Sequence, residues 1–244
     1  MSALPSGGGA VMNRRVEPTD SLDDFPTPPW ATRALIHHVL RPLGLGVMGA
    51  RIWEPAAGRG IMAGPLREAG ARVFASDVFA YPDPRSEIDA IGSFVGDGPD
   101  VLKAPPSPYV TLDYVITNPP FRLAVEFFER AISEAAHVAF FCRANWAEGK
   151  ERYERIFAKR PPLAVANFVE RVPIVRGRYD PGATTMTSYA WFVWSQAKPR
   201  GYPRAMWIPP CADQLTLAGD ARRYASPKPA TEEHDGSTQR NLLD

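Results

Sequence analysis

Asn118, Pro119, Pro120 and Phe121 directly follow the apolar run Asp113–Thr117, and these residue types in this order suit one kind of chemistry. An exocyclic amine on a nucleobase is a weak nucleophile, because its lone pair is delocalised into the ring. A carboxamide oxygen and a backbone carbonyl, both offered from one rigid turn, accept the two N–H hydrogens and leave the lone pair aimed at an incoming methyl group. Asn118 supplies the first acceptor and the carbonyl of Pro119 the second, while the X-Pro bonds keep the turn stiff. Phe121 offers a π-face to a base drawn out of its stack. The same residues also fit an ordinary turn, with Phe121 stapled to the helix that follows.

Two carboxylates upstream favour the chemical reading. Glu54 closes the run Arg51–Glu54 and opens into "PAAGRG"; Asp77 closes "ARVFASD", 23 residues further on. That spacing is near the roughly 20 residues that separate a nucleotide-binding turn from its ribose carboxylate. The turn lacks the three glycines that seat a pyrophosphate. A carboxylate before the shorter "AGRG" instead suits a ligand with an amino-acid head and a cation. S-adenosylmethionine has both, and Glu54 would take its ammonium group directly or through water. A purely structural reading makes Pro55–Gly60 a tight turn and Asp77 a cap. The order of ligand turn, ribose acid and amine clamp in one chain outweighs it.

Such residues act together only if a scaffold gathers the ends of several strands. "TPPWATRALIHHVL" predicts a helix with Thr27 as its cap and prolines in the first turn. Strands follow at Arg51–Glu54, at "ARVFASD", near Ile91–Val95 and at "LDYVITNPPF", with a helix from Ile61 to Ala69 that stops at Gly70. The helix "RLAVEFFERAISEA" leads to strand "HVAFFCR", helix "GKERYERIFAK" and strands "AVANFVE" and "TSYAWFVWS". Alternation of this kind predicts an α/β, Rossmann-like fold: a seven-stranded, mostly parallel sheet with helices on both faces. The expected organisation is a flexible segment 1–22, one catalytic domain 23–212 and a flexible polar tail 213–244.

On "FPTPPWATRAL", "WEPAAGRG", "ASDV", "DYVITNPPF", "EGKERYERIF" and "SYAWFVW", the chain resembles the class I S-adenosylmethionine-dependent methyltransferases that act on the N6 amine of adenine in DNA, especially the small phage and prophage-type enzymes. The resemblance covers about Phe25 to Cys211. It implies that Thr27 and Pro28 close over the methionine end of the cofactor, that Glu54, Ala56, Gly58 and Gly60 contact it, and that Asp77 holds its ribose. An acid after the third strand meets the cofactor's adenine in such enzymes; here Asp97 and Asp100 both fit. The clamp maps onto Asn118, Pro119, Pro120 and Phe121, methyl transfer is an in-line displacement on a flipped base, and no metal is needed. Long relatives carry a separate target-recognition domain, for which this chain leaves little room. Specificity, if any, then falls to loops or a second subunit, or is slight. Within "VPIVRGRYDPGATTMTS", Arg176, Arg178 and Tyr179 are candidates for phosphate or base contacts, although a plain hairpin connection would use the same glycine and prolines. Arg143 and Trp146 are expected to border the target pocket, with Trp146 equally suited to the core.

Bulk properties set limits. The net charge of the 244-residue chain is only +1, which does not announce a nucleic-acid binder. Between Arg143 and Arg178, however, nine basic residues face four acids, enough to steer a polyanion or to lace a solvated helix with ion pairs. Cys142 and Cys211 match no disulfide or zinc pattern. Cys211 in "PPC" is discounted as a nucleophile, and the neighbours His37 and His38 read as structural. Neither a leader nor a membrane span is evident, so a cytoplasmic protein is expected. Three alternatives remain beside DNA adenine: RNA adenine, the amide of a protein glutamine, and a non-catalytic nucleic-acid binder on the same fold.

Overall fold

The computed structural model describes residues 23–83, 85–97, 101–102, 111–197 and 201–225. The strands are β1 (Arg51–Glu54), β2 (Arg72–Asp77), β3 (Ala90–Ile91), β4 (Leu112–Thr117), β5 (Ala135–Arg143), β6 (Ala164–Phe168), β7 (Tyr189–Ser195) and β8 (Arg204–Ile208). They form one eight-stranded sheet in the order β3-β2-β1-β4-β5-β7-β6-β8. β3, β2, β1, β4 and β5 run parallel, β7 runs antiparallel to both β5 and β6, and β8 lies parallel to β6. The mostly parallel, Rossmann-like sheet is as expected, with one strand more than the seven anticipated. β8 escaped the reading because "RAMWI" is half exposed and shows neither a long apolar run nor clean alternation.

Alternation along the central strands builds two cores. Ile52, Ile116, Phe141 and Trp191 face one side, where α1 (Pro29–Ala34), α2 (Ala63–Glu68) and α5 (Ala212–Leu215) cover them. Trp53, Val115, Phe140, Phe192 and Trp194 face the other, against α3 (Ala124–Glu134) and the segment around Trp146 and Ile156. Successive residues of a strand point to opposite faces, so a strand buried on both sides must be apolar throughout. Three buried indoles donate their N–H groups: Trp53 to Ser76 Oγ at 2.8 Å, Trp191 to the Ala31 carbonyl at 3.0 Å and Trp194 to the Arg160 carbonyl at 3.1 Å.

Three expectations are corrected here. Thr27 does not cap the first helix; Pro28 stands at that position and no side chain caps the end. "GKERYERIFAK" is helical only from α4 (Lys150–Arg152) through a wider turn at Tyr153–Phe157. The described part of the expected tail, up to residue 225, is structured: α5 and α6 (Asp220–Tyr224) pack onto the body, and Asp220 forms a buried bidentate pair with Arg33 at 2.7 and 2.9 Å. A tail rich in polar residues is expected to be flexible, whereas one of its acids is the partner of a buried arginine. Segments 1–22 and 226–244 lie outside the described residues. No described helix is long and apolar enough to cross a membrane.

Candidate active site

The strand order reverses between β1 and β4, and in open parallel sheets ligands bind outside the carboxyl ends of strands at such a switch point. Glu54 ends β1, Asp77 ends β2, and Asn118 to Phe121 follow β4 immediately. A cleft there encloses about 830 Å³ up to its open mouth and is lined by Thr27, Glu54, Ala56, Gly58, Asp77, Asn118 and Pro120, among others.

Electrostatics in the cleft follow from burial. Glu54 is 2% exposed, and among the described residues its Oε2 has no hydrogen-bond partner. Burial pushes its carboxyl well above the ordinary value, the Arg67 guanidinium opposes that rise and the Asp77 charge adds to it. Asp77 Oδ2 accepts the Gly58 N–H at 2.8 Å and Oδ1 the Phe79 N–H at 3.0 Å. Burial raises this carboxyl too, against the pull of those N–H groups. Gly58 has φ +57°, a left-handed backbone that glycine adopts at little cost and that here turns its N–H onto Asp77. Thr27 Oγ1 is also buried and without a hydrogen-bond partner among the described residues. Arg59 crosses the mouth, paired with Asp24 at 2.9 Å and lying 4.6 Å from the Tyr81 ring centroid.

A second cavity of about 460 Å³ adjoins the first and is lined by Pro119, Phe121, Arg143, Trp146 and Tyr189, with Cys142 at its wall. Asp23, Phe25 and Asn118 line both cavities. Asn118 donates from Nδ2 to the Phe25 carbonyl at 2.9 Å. A carbonyl can only accept, so this bond fixes which way the amide faces and leaves Oδ1 as the acceptor. Phe121 is 49% exposed, with the Arg143 guanidinium 5.5 Å from its ring centroid.

No family model matches the sequence, and no curated protein does either. Among solved structures, a protein of Pyrococcus horikoshii named as a candidate RNA methyltransferase superposes with a TM-score of 0.50 at 16% identity, over 74% of this chain and 90% of that one. The chain has the class I methyltransferase fold. The magnesium protoporphyrin IX methyltransferase of Synechocystis, solved with bound S-adenosylmethionine, gives 0.43 at 15% identity over 69% of this chain and 79% of that one. The 16S rRNA N2 G1207 methyltransferase of T. thermophilus, in complex with AdoMet and guanosine, gives 0.40 at 18% over 67% and 41%.

Not every expected residue meets this cleft. Pro28 turns away to line a groove with Trp30 and Tyr179. Gly60 does not line the cleft; at φ +81° it packs where an added Cβ would meet the Glu87 carbonyl oxygen at 3.0 Å. Asp97 is exposed and outside the lining, because the chain after the two-residue β3 turns Ser93 and Phe94 inward instead. Asp100 lies outside the described residues. Arg176 and Arg178 line neither cavity; Arg178 pairs with Asp180 at 3.4 Å. Tyr179 is 4% exposed and packs with Ile61 and Tyr224, which overturns it as a target contact. Trp146 satisfies both readings: it is 1% exposed, packed among Phe140, Phe157, Phe192 and Trp194, and it borders the second cavity.

Much of the basic segment is spent internally, since Arg155 bridges Glu126, Glu129 and Glu151 and Lys150 meets Glu154. Burial pushes the Cys142 thiol up, and burial with the Glu170 charge pushes Cys211 up to about 11, so neither is thiolate near neutrality. Among the described residues no group of three or more His, Cys, Asp or Glu is arranged to hold a metal. Sequence reasoning missed Asp23, Phe25, Ser93, Phe94 and Tyr189 as lining residues. The signal for the first two was local: acids directly before "FPTPP", a stretch that prolines force to be extended.

Proposed function

We propose that this chain transfers the methyl group of S-adenosylmethionine to the N6 amine of adenine in DNA. One observation carries the reading: Asn118 stands in the wall common to two cavities, with its amide nitrogen engaged by Phe25 and its oxygen left as an acceptor. Glu54, Thr27, Ala56, Gly58 and Asp77 would hold the cofactor in the first cavity. The partnerless, buried Glu54 Oε2 and Thr27 Oγ1 suit an amino-acid head, since an ammonium group offers the hydrogen bonds these atoms lack. When bound, the cofactor supplies a methyl group on a positively charged sulfur. On the acceptor side, Asn118 Oδ1 would accept a hydrogen bond from one amine N–H and the Pro119 carbonyl from the other, while Phe121 stacks on the base under Arg143. Holding the amine in this way leaves its lone pair facing the first cavity, and positioning provides the acceleration.

The deciding experiment incubates the purified chain and methyl-tritiated S-adenosylmethionine separately with duplex DNA, single-stranded DNA, RNA and a glutamine-containing polypeptide, then resolves the labelled nucleosides and amino acids by mass spectrometry. N6-methyladenine from DNA is expected. Label confined to RNA or to a glutamine amide would replace the assigned acceptor. Absence of cofactor binding by calorimetry would leave a binder without catalysis.

A further inference from the structure

We infer that Asp23 is a positioning residue for the amine clamp, and that the N-terminal strap 23–27, not the sheet alone, sets the orientation of Asn118 and Phe121. The inference rests on the function proposed above and adds a residue that no motif in the sequence marks. Two bonds join strap to clamp. The Asp23 carboxylate accepts the backbone N–H of Phe121, the first residue of the short turn Phe121–Leu123, whose end has no other side-chain cap. The Phe25 carbonyl accepts from Asn118 Nδ2 at 2.9 Å. One bond therefore aims the ring that stacks and the other aims the oxygen that accepts.

The strap is itself held from both sides. Asp24 pairs with Arg59 of the glycine turn at 2.9 Å, and its carbonyl accepts the Gly177 N–H at 2.8 Å. Asp23 is also the one described non-glycine residue with positive φ, +53°. A left-handed backbone at a residue other than glycine carries a cost that persists only where surrounding contacts impose it, and such positions cluster at functional sites. Here it brings the carboxylate onto the Phe121 N–H at the junction of the two cavities. A carboxylate placed only to end a turn would not need to line both.

The test compares three full-length proteins: wild type, Asp23→Gly and Asp23→Asn. Glycine keeps the left-handed backbone and removes the acceptor, whereas asparagine keeps both an acceptor oxygen and tolerance of that backbone. Single-turnover methyl transfer is measured from S-adenosylmethionine to genomic DNA free of adenine methylation. Asp23→Gly should be slower by about 10- to 100-fold, the scale of a misplacement near 1 Å, with the cofactor Kd changed less than about threefold. Asp23→Asn should recover to within about threefold of wild type, which a charge requirement would not allow. A wild-type rate in Asp23→Gly, or equal loss in both variants, overturns the inference. A second readout needs no substrate: exchange of the Phe121 amide and of the Asn118 side-chain amide by NMR should speed up at least about tenfold in Asp23→Gly and not in Asp23→Asn. Unchanged exchange in Asp23→Gly also overturns it. If wild type labels no adenine, the acceptor assignment falls and the exchange result still decides the Asp23 contact.

Discussion

Replacing Glu54 by glutamine should loosen the cofactor and tighten the free protein, with opposite pH signatures. The side chain is 2% exposed and Oε2 has no partner, so an ionised carboxylate here is penalised until a cation arrives. A hydrogen bond to a charged partner contributes about 1.5–3 kcal/mol, which sets the loss in Glu54→Gln at about 10- to 150-fold in Kd for S-adenosylmethionine. Because burial holds the folded carboxyl above its unfolded value, the native state binds more protons in that interval. Stability of the free wild type must therefore fall as pH rises through the window between the ordinary and the raised value, and stay low above it. The glutamine variant lacks that fall and should unfold at the higher temperature near neutrality. Cofactor affinity runs the other way: wild type loses it as pH drops through the raised value, with proton release on binding, and Glu54→Gln does not. Thermal scans across pH and calorimetry in two buffers of different ionisation enthalpy measure both. Equal affinities, or parallel pH profiles in the two proteins, would refute the assignment of Glu54 to a cationic head group.

Asn118→Ala should keep the cofactor Kd within about threefold and lose methyl transfer by at least about 100-fold, as removal of a single positioned hydrogen-bonding group does elsewhere; isotope incorporation reports it. Asp220→Ala leaves the buried Arg33 guanidinium with the Glu68 carboxylate and the Leu215 carbonyl but without its bidentate acid, and unfolding in urea should show a loss of about 3 kcal/mol. Trp146→Ala empties a site between Phe140, Phe157 and Trp194 and should cost about 3–5 kcal/mol, read by the same titration. Asp23→Gly and Asp23→Asn complete the set, as described above.

The sheet was legible because strands buried on both faces write continuous apolar runs, as "DYVIT" and "AWFVW" do. The turn after β4 was legible for a different reason: its rigidity comes from neighbouring residues, Asn118 and the two prolines, so no tertiary information is needed to see it. The spacing of Glu54 and Asp77 put them at the ends of two successive strands, which is where they stand. Tyr179 failed because exposure was inferred from a loop rich in glycine and proline, whereas its ring fills a gap between Ile61 and Tyr224. Asp97 failed because a two-residue strand leaves almost no periodicity from which to judge where the next side chains point. Asp23 and Asp220 share one cause. Each acid meets its partner across about a hundred or more residues of chain, Phe121 in one case and Arg33 in the other, and an isolated acid in a polar stretch looks the same whether it is solvated or bonded.

The reversed direction of β7 has a consequence for how such a chain could acquire new targets. Arg143, at the end of β5, sits opposite Tyr189, at the beginning of β7, so the polypeptide that leads into β7 arrives beside the second cavity. Residues inserted just before Tyr189 would emerge at that rim without passing through the sheet or the first cleft. Doubling the length of a flexible loop costs only about 0.6 kcal/mol in closure entropy. A reading head grafted there would be thermodynamically cheap, and the machinery beneath it would not need to change.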